Sequence, residues 1–108
     1  MANDFSLDPR CKALWRFEAG ALTADSKGTN TLSQDGSPLA YTVDYKEGSA
    51  CVDLEKDNSQ GFYIPDAGLN PGFPLKSGDS TKKISVCCRF KPESIPGFNE
   101  GGLITHFD

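Results

Sequence analysis

The chain has 108 residues, with 11 Lys or Arg against 15 Asp or Glu, a net charge of −4 and no basic run. That length allows a single domain with a modest core, and that charge balance excludes the electrostatic footprint of a nucleic-acid binder. No apolar stretch approaches the ~18 residues of a membrane-spanning helix. Residues 1–6 have neither the cationic start nor the apolar middle of a Sec signal peptide, so a soluble chain without a Sec leader is expected.

In chain order, residues 1–10 are polar, contain Pro9, and read as a flexible N-terminal arm ahead of a domain over 11–108. Leu14, Arg16 and Glu18 alternate with Trp15 and Phe17, and that period of two predicts a strand over 12–18 with one aromatic face and Trp15 in the core. Asp25-Ser26-Lys27-Gly28 is turn chemistry: Asp bonds its own backbone two residues on, and Gly supplies a positive φ. A short strand is expected at Thr31-Leu32-Ser33, ahead of the Asp35-Gly36 turn signal. Further short strands are expected at 42–45, at 50–54 with Ala50, Val52 and Leu54 on one face, and at 61–65. Residues 66–80 read as loop. Residues 83–91 alternate strongly, with Ile84, Val86, Cys88 and Phe90 on one face, until Pro92 stops the ladder. A last strand is expected over 103–107, and no helix. Short strands between Gly/Pro turns predict an all-β antiparallel sandwich or barrel.

Four cysteines, Cys11, Cys51, Cys87 and Cys88, and one histidine, His106, make neither a CxxC pair nor a zinc-ligand spacing. Adjacent residues of a strand face opposite ways, so Cys87 and Cys88 are poor disulfide partners. The four read as small buried hydrophobes. A Cys11–Cys51 bridge is the alternative.

Leu14-Trp15-Arg16-Phe17-Glu18 with Asp25-Ser26-Lys27-Gly28, then Tyr45-Lys46-Glu47-Gly48-Ser49-Ala50, Phe62-Tyr63-Ile64, the strand from Ile84 to Pro92, and Gly102-Leu103-Ile104 occur in an order that resembles the concanavalin A-like lectin/glucanase superfamily, in its laminin-G-like jelly-roll branch. The resemblance spans roughly residues 11–108 but covers only the N-terminal half of that domain pattern. It implies a truncated or split sandwich whose uncovered edges need a second copy or a complementary chain. It also implies a surface- or phage-associated recognition module, extracellular or virion-borne.

Within that resemblance, calcium is the expected cofactor if any, because hard cations take carboxylate and carbonyl oxygens. Asp25 and Asn30 are the metal candidates, although turn-forming Asp and Asn account for the same residues. A sugar ring would stack on an exposed aromatic. Tyr63, Phe73 and Phe98, with Asp66 and Asn70 for hydroxyl groups, are the ligand-binding candidates, and loop aromatics that plug a fold are the competing reading of Phe73 and Phe98. Asp53, Glu55 and Asp57 share a face but lack the paired-carboxylate pattern of a glycanase. A single histidine supports no triad. The expected function is therefore a non-catalytic module binding glycan or protein. A structural protein that oligomerises through strand edges comes second, and a glycoside hydrolase fragment third.

Overall fold

The computed structural model describes residues 4–80 and 83–92. Four strands of three residues each are present among them: β1 (Ser33–Asp35), β2 (Leu39–Tyr41), β3 (Cys51–Asp53) and β4 (Gly61–Tyr63). They form two separate antiparallel pairs, β1 with β4 and β2 with β3. The pairs are nested in sequence. Ser33 lies opposite Tyr63 and Asp35 opposite Gly61, while inside that loop Leu39 lies opposite Asp53 and Tyr41 opposite Cys51. Single 3-10 turns follow β3 and β4, at Lys56–Asn58 and Asp66–Gly68.

This is neither the antiparallel sandwich that the alternation predicts nor the jelly roll that the resemblance implies. Two two-stranded pairs do not make two packed sheets, and the two longest expected strands do not form. The first fails at Phe17, whose φ of 53° lies in the left-handed region and breaks the period-two geometry of an extended strand. The segment instead reverses on itself, through single bridges from Trp15 to Asp25 and from Glu18 to Ala21. The second, residues 83–91, is not a strand and is exposed along its described length. Its alternation records a face that a sheet could have buried, but among the described residues no strand lies alongside to accept its backbone bonds. Arg89 and Lys91 hold it by ion pairs to Glu47 (2.9 Å) and Asp44 (2.6 Å). The strand expected over 103–107 lies outside the described residues.

The shorter expectations fare better. The strands expected at 50–54 and 61–65 contain β3 and β4. Those expected at 31–33 and 42–45 are displaced: β1 begins at Ser33, and β2 ends at Tyr41. At the Asp35-Gly36 signal the chain bends at Gly36, and the flanking β1 and β2 do not pair with each other. Gly36 and Ser37 both have positive φ (65° and 53°).

The apolar core is small. Among the described residues Ala50 (2 % exposed) and Phe73 (7 %) are its buried hydrophobic members, and Pro38 and Pro74 are buried as well. Phe17 and Phe62 add a tilted aromatic pair with ring centroids 5.1 Å apart, a geometry that suits the ring quadrupoles. Trp15 is half-buried rather than central. No helix among the described residues is long and apolar enough to cross a membrane.

Candidate functional site

The most highly organised part of the molecule is polar. Asn30 is completely buried, where an unpaired amide would cost ~1–3 kcal/mol per orphaned group. Every polar group of this residue is engaged. Its Nδ2 donates to Asp25 Oδ2 (2.8 Å) and to the Lys12 carbonyl (3.3 Å). Its Oδ1 accepts from the Asn70 backbone N–H (2.7 Å). Its own N–H donates to Asp25 Oδ2 (3.1 Å), and its carbonyl accepts from Trp15 Nε1 (2.7 Å).

Asp25 is the acceptor at the centre. Its Oδ1 takes the N–H groups of Leu14 and Lys27, each at 2.9 Å. The Lys27 contact is the two-residue Asp turn that the sequence signals. Burial opposes charge on this carboxyl, but the donors from Leu14, Lys27, the Asn30 side chain and Gly28 outweigh it and hold Asp25 below the usual carboxylate range.

Asn70 reaches in from 40 residues away in sequence. Its Oδ1 accepts the Thr29 N–H (3.0 Å), and its Nδ2 donates to Thr29 Oγ1. Gly28 lies beneath this contact, and a Cβ there would fall 2.5 Å from Asn70 Oδ1 and 3.1 Å from both Asn30 Nδ2 and Asp25 Oδ2. The glycine that ends the Asp25 turn is thus required by close approach rather than by a positive φ.

A second polar junction ties the N-terminal reversal to the loop before β3. Glu18 Oε2 accepts both the N–H and the hydroxyl of Ser49, and Ser49 Oγ accepts the Ala19 N–H (3.1 Å). The Ser49 hydroxyl and then its N–H hold the Glu18 carboxyl below its ordinary range. Residues 4–10 are tethered as well. Arg16 pairs with Asp4 at 2.7 Å, and Lys27 Nζ donates to the Ser6 carbonyl at 2.6 Å.

Of the residues nominated from sequence, Asp25, Asn30 and Asn70 come together. Their oxygens face N–H groups, so the donor set fits backbone and amide donors rather than calcium. No group of three or more His, Cys, Asp or Glu side chains converges among the described residues. Asp66 lies elsewhere: its Oδ1 accepts the Ser77 N–H (2.5 Å), and its carbonyl accepts from Lys76 Nζ (2.7 Å). Phe73 is in the core, and Tyr63 is 56 % exposed on β4. Phe98, His106 and Asp108 lie outside the described residues. Cys11, Cys51, Cys87 and Cys88 are all free thiols, so the Cys11–Cys51 bridge is not formed. Cys11 and Cys51 are half-buried as small hydrophobes can be, but Cys87 and Cys88 are exposed.

Sequence reasoning missed three features: the Trp15 indole bond, the Glu18–Ser49 junction and the steric role of Gly28. The first two join residues 15 and 31 positions apart, a separation that local pattern does not reach. The third had a signal in the Asp-Ser-Lys-Gly run, attributed there to the wrong property of glycine.

Comparison with family models, with curated proteins and with solved structures finds no match to this chain.

Proposed function

We propose that this chain is a non-catalytic binding module whose protein ligand is a second copy of itself. The observation that supports the reading is the distribution of apolar side chains. Among the described residues, eleven large hydrophobic side chains are exposed, against two buried hydrophobic residues. Fully burying such a side chain contributes up to about 1.5–3 kcal/mol, and exposed apolar side chains that lie together mark interaction sites. Leu39, Tyr41, Val43 and Tyr45 are exposed at alternate positions, at 68, 42, 80 and 43 %. Leu39 and Tyr41 lie on β2, which among the described residues has β3 on one side and no strand on the other. An extended segment of a partner adds to such an edge by backbone hydrogen bonds, with side chains at alternate positions supplying specificity.

Glycan recognition is the second reading. It is favoured by the exposed ring of Tyr63, which could stack on a sugar face. Sedimentation of the purified protein across a wide concentration range, beside a glycan array, separates the two. The first reading predicts self-association that a Leu39→Ser, Tyr41→Ser double variant weakens at least tenfold. A chain that stays monomeric at every concentration and binds the array through Tyr63 would replace the first reading with the second. A monomer that binds no glycan would sink both.

A further inference from the structure

We propose that Cys87 and Cys88 form a surface modification site that takes small disulfides as mixed-disulfide adducts, one on each sulfur. Both thiols are exposed, whereas Cys11 and Cys51 are half-buried. The latter two also donate to carbonyls of their own surroundings, Cys11 Sγ to Ala13 and Cys51 Sγ to Asp44, each at 3.4 Å. The molecule therefore carries two engaged thiols and two open ones.

Adjacency normally invites a disulfide between neighbours, but here the geometry opposes it. Consecutive Cα atoms lie about 3.8 Å apart, short of the roughly 4.4–6.8 Å that an unstrained disulfide spans. Residues 83–90 make no backbone–backbone hydrogen bond to another described residue, so no ladder shields either sulfur. Side chains facing the segment come from the 44–47 loop, where Glu47 pairs with Arg89 and Asp44 with Lys91. Two of the cations of this segment, Arg89 and Lys91, are thus already matched by carboxylates, and the exposure of the sulfurs rather than local charge makes the site.

The step balances without another reagent. The thiol gives up its proton, and the thiolate attacks one sulfur of the small disulfide. A protein–sulfur bond forms, the original S–S bond breaks, and the departing thiolate leaves with the electron pair and takes up the proton. The protein sulfur is oxidised and the leaving sulfur reduced. Because the neighbouring cysteine is badly placed to expel the adduct, it persists.

The test is incubation of the folded full chain with oxidised glutathione at mildly alkaline pH, followed by intact mass and peptide mapping. The expected result is adducts on Cys87 and Cys88, with Cys11 and Cys51 modified only after unfolding in urea. Cys87→Ser and Cys88→Ser should each remove one adduct and leave the other, with circular dichroism confirming that both variants fold. Loss of two hydrogens without an adduct, equal labelling of all four thiols, or absence of adduct at Cys87 and Cys88 would each overturn the proposal.

Discussion

Replacing Asn30 by Asp changes one nitrogen to one oxygen at a fully buried polar side chain. The acceptor Oδ1 can keep the Asn70 N–H at 2.7 Å. The other terminal atom loses its protons while it stays 2.8 Å from Asp25 Oδ2 and 3.3 Å from the Lys12 carbonyl. A hydrogen bond to a charged acceptor is worth about 1.5–3 kcal/mol, and one to a neutral carbonyl about 0.5–1.5. Their loss gives a destabilisation of about 2–4 kcal/mol at neutral pH. Urea unfolding followed by tryptophan fluorescence reads this as a fall of about 1–2 M in midpoint, for a slope of roughly 2 kcal/mol per M.

The pH dependence makes the prediction sharper. Asp25 in the native protein sits below its unfolded value of about 3.9, so the unfolded state binds the extra proton. The stability it contributes is present above that value and is lost as pH falls through the folded one. In the Asn30→Asp chain two carboxyls this close cannot both ionise, and one retains a proton to higher pH. That proton is bound in the native state, so the penalty relative to the native sequence shrinks as pH drops from 7 toward 4. A variant within 0.5 kcal/mol of the native chain at pH 7, or a penalty that is the same at both pH values, would refute the reasoning.

Gly28→Ala should cost about 1–3 kcal/mol, as overpacking against the Asn70 oxygen does. Gly61→Ala, where a Cβ meets nothing within 4 Å and φ is not positive, should melt close to the native temperature. Equal melting temperatures for the two would remove the steric role of Gly28. Trp15→Phe keeps the ring but deletes the donor to the Asn30 carbonyl, for a loss of about 1 kcal/mol in urea titration; no loss would mean that water replaces the indole. Ser49→Ala should move the Glu18 carboxyl part of the way up toward the ordinary glutamate range, since it deletes the hydroxyl, the larger of the two influences, and keeps the backbone N–H. Carboxyl-selective NMR titration reads that shift, and an unmoved resonance would detach Glu18 from Ser49.

What the sequence made legible was local chemistry. The Asp25 turn holds because a carboxylate two residues before an N–H needs no distant partner. The bend after Asp35 falls where the sequence signals it, because Gly36 accepts a positive φ without a Cβ penalty. β3 and β4 fall inside expected segments, the first preceded by Gly48 and the second running from Gly61 to Pro65. Failures came where a strand needed a partner. Alternation over 83–91 describes a side-chain pattern, but a sheet is a ladder between two backbones, and no facing strand lies beside that segment among the described residues. Over 12–18 the alternation was interrupted at one residue, Phe17, whose ring turns to Phe62 instead. Asp25 and Asn30 were singled out for their oxygens. Their conjunction is real, but its content is hydrogen bonding to N–H groups, and the third member, Asn70, was nominated for a different purpose. The polar junction thus takes an organising role that a jelly roll gives to its apolar layers.

Amide hydrogen exchange resolved by residue tests this account most directly. The slowest-exchanging amides should be those of Leu14, Lys27, Asn30 and Asn70, which donate into the buried polar junction. Residues 83–90 should exchange at nearly unprotected rates. Strong protection along 83–90, with rapid exchange at Asn30 and Asn70, would contradict it and return that segment to a sheet.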